Sequence, residues 1–142
     1  MSKEPEHHLL LVDQDLDYLD WATKHLGAEG LKILRCDSAD KASQVVKKAP
    51  IDVVICDIKL DPFDGVELLQ LIRASSPETI TILTAVSPTT SQIIEATQKG
   101  ALDVLRKESL AFELRQVVES ALQTVDQRRE IGPLSDQRPG LT

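Results

Sequence analysis

Five short apolar runs, each followed by a segment of helix length, most constrain what this chain can fold into. They cover residues 9–12, 31–34, 53–56, 80–83 and 102–105, with Val and Ile dominating the third and fourth. Uninterrupted apolar runs of this length suit strands buried on both faces, because an alternating pattern would leave one face for water. The segments between them change to a helical period. Asp15 is placed to cap the first, which carries Leu16, Leu19 and Leu26 on one face and closes at Gly27 and Gly30. Ser38 is placed to cap the second, with Ala42, Val45 and Val46 inward. The third follows Asp64-Gly65 with Val66, Leu68, Leu69 and Ile72, and ends before Pro77. The fourth spans about 91–99 and stops at Gly100; the fifth repeats Leu114, Val117, Val118, Ala121, Leu122 and Val125.

Strand then helix, five times over, builds a parallel sheet covered by helices on both faces. Right-handed crossovers restrict it to doubly wound forms, and ligands of such sheets bind beyond the carboxyl ends of the strands. From about residue 126 the pattern fades into Arg128, Arg129, Gly132, Pro133, Pro139 and Gly140. That stretch is expected to be the end of an extended last helix, followed by a mobile linker or a free terminus.

Composition removes several classes of function. The formal net charge of −7 repels phosphate backbones and anionic lipid, so neither nucleic acid nor membrane is expected as a partner. No apolar run approaches the roughly 20 residues that span a bilayer, and the start, MSKEPEHH, has no signal-peptide core. Cys36 and Cys56 are too few for a disulfide framework and lack metal-ligand spacing, so they are expected to be reduced packing residues of a cytoplasmic protein. His7 and His8 carry no metal-site pattern, and Tyr18 and Trp21 are expected to be packing residues of the first helix.

The residues just past the strands carry the chemistry. Asp13, Gln14 and Asp15 follow the first strand, Asp57 the third, Thr84 the fourth, and Arg106 and Lys107 the fifth. A doubly wound sheet brings all of them to one rim. Carboxylates there suit Mg²⁺, a hard cation that keeps several waters. A hydroxyl and an ammonium suit the oxygens of a phosphoryl group, and a carboxylate can accept that group as an acyl phosphate.

The strings LLLVDQD, DVVICDIKLDPFDGVELL, ITILTA and GALDVLRKESL, in this order, resemble the receiver domain of response regulators in two-component signalling. The resemblance covers residues 8–123 and leaves 124–142 as a helix extension and linker or mobile tail. It implies a flavodoxin-like α/β fold: a five-stranded parallel sheet of order 2-1-3-4-5 flanked by five helices. It implies phosphorylation of Asp57 by a histidine kinase or phosphotransfer protein, with Thr84 and Lys107 contacting the phosphoryl group. It implies Mg²⁺ held by Asp13, Asp57 and the backbone carbonyl of Lys59, with Gln14 a doubtful further ligand. It also implies a face on the fourth helix, fifth strand and fifth helix for partners or a homodimer, while the linker-like tail is compatible with an output domain beyond Thr142.

Three positions depart from the family pattern. Gln14 stands where a second acid is usual, Pro62 comes one place late, and Val104 replaces a switching aromatic. Gln14 and Val104 motivate an alternative, a receiver-like interaction module independent of phosphorylation, against which Asp57, Thr84 and Lys107 argue. A haloacid-dehalogenase-type phosphatase fits poorly, because Lys59 stands where such enzymes place an acid/base aspartate. Lys59 and Val86 flank the approach of a hydrolytic water, and neither orients one, so autodephosphorylation is expected to be slow.

Overall fold

The computed structural model describes residues 4–137, with side-chain surroundings described as far as Ile131. Its elements are β1 (His7–Val12), α1 (Leu16–Leu26), β2 (Leu31–Cys36), α2 (Ala39–Lys48), β3 (Val53–Asp57), α3 (Gly65–Ser75), β4 (Ile80–Ala85), α4 (Thr90–Gln98), β5 (Asp103–Arg106) and α5 (Ala111–Gln137). All strand pairs are parallel and the sheet order is β2-β1-β3-β4-β5. The expected fold class and strand order are therefore observed.

Alternate side chains of each central strand enter different cores. Leu10, Val12, Val54, Cys56 and Leu83 pack with α2, α3 and the buried Ala96 of α4. Leu9, Leu11, Val53, Ile55 and Ile82 pack with α1 and α5, through Leu19, Ala22, Leu114 and Val118. Every residue of β3 and β4 is buried, which is why 53–56 is continuously apolar and 80–83 is broken only by the small Thr81. Burying each large aliphatic side chain contributes roughly 1.5–3 kcal/mol, so the two cores jointly fix the register that brings the strand ends to one rim.

Local chemistry starts the helices as expected. Asp15 accepts from the N–H groups of Asp17 and Tyr18, Ser38 from Lys41, and Asp64 from Glu67. Thr89 and Gln92 form a reciprocal capping box on α4. Three details differ from the sequence expectation. Leu16 is 62% exposed rather than inward, because it opens α1 at the rim beyond the core. The last strand lies one residue later, and Leu102 is exposed while its N–H donates to the Thr81 carbonyl.

The third difference is the length of α5. It continues as helix to Gln137, past Gly132 and Pro133. Long-range contacts hold its second half: His7 Nε2 lies 2.7 Å from Asp126 Oδ1, Arg129 contacts the Glu6 carbonyl at 2.7 Å and Asp52 at 3.1 Å, and Arg128 donates to the Glu78 carbonyl. The expected linker in 138–142 lies outside the described residues.

Candidate functional site

The rim formed by the carboxyl ends of β1, β3, β4 and β5 gathers Asp13, Asp57, Thr84 and Lys107. Backbone bonds place each one. Asp13 N–H donates to the Cys36 carbonyl at 3.1 Å, Ile58 N–H to the Thr84 carbonyl at 2.9 Å, and Lys107 N–H to the Ala85 carbonyl at 2.9 Å. Asp57 pairs with Thr84 in the β3–β4 register. Both Asp57 and Thr84 sit inside their strands rather than just beyond them.

The Lys107 ammonium lies between two carboxylates, 2.8 Å from Asp13 Oδ2 and 3.3 Å from Asp57 Oδ2. Asp13 is 2% exposed and Asp57 9%. The remaining carboxylate oxygens are held from the backbone: Asp15 N–H donates to Asp13 Oδ1 at 2.9 Å, and Lys59 N–H to Asp57 Oδ1 at 3.3 Å. The Lys107 ammonium is the one partner of Asp13 Oδ2 among the described residues, and the Thr84 hydroxyl is buried without a hydrogen-bond partner. Buried polar atoms left unpaired cost stability, and at a rim they mark where a ligand would complete the set.

Electrostatics follow from this crowding. Burial and the nearby Asp13 carboxylate push the Asp57 pKa above the ordinary aspartate value; Lys107 and the Lys59 N–H oppose them. Burial works to lower the Lys107 pKa, but Asp13 and then Asp57 outweigh it and raise the pKa overall. One ammonium thus stands against two carboxylates, and the centre keeps an uncompensated negative charge.

The other sequence candidates are more peripheral. The Gln14 carboxamide is exposed and donates to Asp61 Oδ2 at 3.1 Å, so it ties the β3–α3 loop to the end of β1. The Lys59 side chain is exposed and joins no ion pair with the carboxylates among the described residues. Val86 is 70% exposed, beside Ser87, whose φ of +48° puts a non-glycine residue in the left-handed region. Val104 is half-buried against the α2–α3 core. His7, far from the rim, joins Asp126.

One neighbour of the site was expected only to pack. Tyr18 lies in the first turn of α1 with its ring centroid 4.7 Å from the Lys107 ammonium. Burial, then the charges of Asp13 and Asp57, push its phenol up to about 12. Its place three residues after the Asp15 cap was legible in the sequence; its contact with a residue 89 positions later was not.

Asp13 and Asp57, with the backbone carbonyl of Lys59 two residues past Asp57, offer only oxygen donors to a cation, and the excess of two carboxylates over one ammonium fits that use. Among the described residues no three His, Cys, Asp or Glu side chains converge to form a metal cage, so a cation here would keep several waters.

Comparison with known proteins agrees with this geometry. The model of the response regulator receiver domain family matches residues 9–119. The transcriptional regulatory protein GlrR of Escherichia coli K12 is 29% identical over 97% of this chain, and ZraR of Salmonella typhimurium is 31% identical over 80%. The chain spans 30% and 26% of the lengths of these relatives. The solved signal receiver domain of an HD domain-containing protein from Pseudomonas fluorescens Pf-5 superposes with a TM-score of 0.83 at 26% identity, covering 92% of this chain and 96% of that one. With fold, rim and family model in agreement, this chain belongs to the response regulator receiver domain family, the receiving module of two-component signalling.

Proposed function

We propose that this receiver accepts a phosphoryl group on Asp57 from a partner histidine kinase or phosphotransfer protein, with Mg²⁺ bound. The observation that carries this reading is the Lys107 ammonium poised between Asp13 and Asp57, beside the unpaired Thr84 hydroxyl. A carboxylate oxygen of Asp57 attacks phosphorus; the bond from phosphorus to the donor breaks, and the donor leaves with that electron pair and takes a proton from solvent. Lys107 and Thr84 are oriented to meet the phosphoryl oxygens as charge spreads over them. Asp13, Asp57 and the Lys59 carbonyl would hold Mg²⁺, which when bound supplies positive charge opposite the phosphoryl oxygens. The Gln14 amide steadies the loop that carries Lys59.

The family role is a switch rather than a classical enzyme, and slow autodephosphorylation would return it to rest. The exposed Ile94, Leu102, Leu110 and Phe112 support a partner or dimer face on α4, β5 and α5. The length of the relatives supports an output domain joined after Thr142, with residues 8–123 as the receiver and 124–142 as the connection. No helix among the described residues is long and apolar enough to cross a membrane, consistent with a cytoplasmic role.

A second reading, an interaction module that needs no phosphorylation, is favoured by the engagement of Gln14 with Asp61 and by the small Val104 at the switch position. Mass spectrometry after incubation with acetyl phosphate and Mg²⁺ separates the two. One phosphoryl adduct on the wild type and none on Asp57→Asn supports the switch. No adduct on the wild type supports the module, and an adduct on both displaces Asp57 as acceptor.

A further inference from the structure

The contacts around Lys107 form a closed circuit. Asp13 Oδ2 meets the Lys107 ammonium at 2.8 Å, and Asp13 Oδ1 accepts from the Asp15 N–H at 2.9 Å. Asp15 Oδ1 accepts from the Tyr18 N–H at 3.3 Å, and the Tyr18 ring returns to Lys107 at 4.7 Å. The cap that starts α1 therefore also places an aromatic face over the ammonium. Lys107 itself is mostly buried, its side chain 13% exposed, so it has few other positions to occupy.

Of the three groups touching the ammonium, two change when the site is used. On the reading of Asp57 as acceptor, the Asp57 carboxylate becomes an acyl phosphate and the Asp13 carboxylate is drawn toward the cation. The ring is neutral and stays so, since its phenol ionises only at about 12. It is the contact that neither cation nor phosphoryl group consumes. A ring face attracts an ammonium through its quadrupole without competing with phosphoryl oxygens for the N–H donors.

We infer that Tyr18 is a positioning residue: its ring holds the Lys107 ammonium over the site when Asp13 lets go, so that the ammonium is already aimed at the incoming phosphoryl oxygens. Asp15 acts one step further back, by fixing the turn from which the ring projects. This inference rests on phosphoryl acceptance at Asp57 and fails separately from it.

The test uses the wild-type chain, Tyr18→Phe, Tyr18→Leu and Tyr18→Met. Phosphorylation by acetyl phosphate with Mg²⁺ should slow about 5- to 10-fold in the Leu and Met variants and stay within about twofold of wild type in Tyr18→Phe, which keeps the ring face; this is the range expected of one partly desolvated cation–π contact. A merely structural residue would lower the unfolding midpoint and the rate together. Here the ammonium resonance of Lys107, followed by ¹⁵N NMR with Mg²⁺ and beryllofluoride as the phosphoryl analogue, should keep its upfield ring-current shift in wild type and Tyr18→Phe. That wild-type measurement stands even if a variant fails to fold. Loss of the ring-current shift on forming the wild-type complex overturns the inference. So does a folded Tyr18→Leu or Tyr18→Met that is phosphorylated at the wild-type rate, or a Tyr18→Phe as slow as both. If the wild type takes no phosphoryl group at all, the acceptor reading fails first, and this one with it.

Discussion

The α-carbon of Gly65 faces the Asp57 carbonyl so closely that no β-carbon fits between them. The Gly65 N–H donates to the Ile58 carbonyl at 2.8 Å, which draws the start of α3 against the end of β3. The glycine is needed for approach rather than for an unusual dihedral angle. Gly65→Ala should destabilise the fold by about 1–3 kcal/mol, the usual cost of forcing an extra methyl group into packed structure. It should also lower acetyl phosphate reactivity, because the atom displaced belongs to Asp57. Chemical denaturation and the phosphorylation rate measure the two effects; a normal rate in a folded variant would show that the acceptor tolerates the shift.

Asp57 is an acid held against its own ionisation. Its pKa is raised in the folded state by burial and by Asp13. The folded protein thus binds its proton more tightly than the unfolded chain, and ionising it costs stability at pH above the raised folded value. That cost disappears as pH falls from the folded value through the unfolded aspartate value near 4. Asp57→Asn should therefore unfold at a higher temperature than wild type at pH 7, with the gap closing as pH drops through that window. Calorimetry across pH reads this directly, and an Asn variant less stable at pH 7 would contradict it.

Gln14→Asp removes the hydrogen bond to Asp61 and sets two carboxylates against each other at an exposed mouth. Without metal the loss should be under about 1 kcal/mol, since water screens the pair. With Mg²⁺ the added charge should tighten binding several-fold. Titration followed by Trp21 fluorescence measures this, because the Trp21 ring lies tilted 5.6 Å from Tyr18, whose ring meets Lys107 at the site. Equal or weaker binding would place residue 14 outside the reach of the cation.

Val86 and Lys59 bear on how long a phosphoryl group survives. Val86 is exposed, so Val86→Glu can bring a carboxylate to the mouth without disturbing the core. It should speed phosphoryl loss about tenfold, equivalent to about 1.4 kcal/mol of barrier. Lys59 is exposed and free of the carboxylates, so Lys59→Asn should do less. Unchanged half-lives in both variants would mean that water access is controlled elsewhere.

The sheet was legible because its central strands are buried on both faces, which forces short β-branched-rich apolar runs such as 53–56, repeated between segments of helical period. The convergence of Asp13, Asp57, Thr84 and Lys107 followed from the strand–helix alternation, because a parallel sheet brings every strand's carboxyl end to one rim. Tyr18 was missed because a ring on the first turn of an amphipathic helix looks the same whether it meets core or cation. Leu16 was misplaced because periodicity says which face a residue is on, not whether the core extends under it. The extension of the last helix past Val125 was legible, but its anchors were not, because no local pattern connects His7, Asp52 and Glu6 to Asp126 or Arg129.

Those same contacts change what α5 can do mechanically. A 27-residue helix is about 40 Å long, and hinged only at its start it would swing its far end widely for a small tilt. Tied at Asp126 and Arg129 to the amino-terminal ends of β1 and β3, it has only about two turns beyond its last anchor. A tilt at the start of α5 would therefore be resisted at two further points along the helix rather than amplified toward Gln137. Arg129→Ala, which costs little stability at an exposed pair, would speed amide exchange near the end of α5 and turn a rigid strut into a flexible leash.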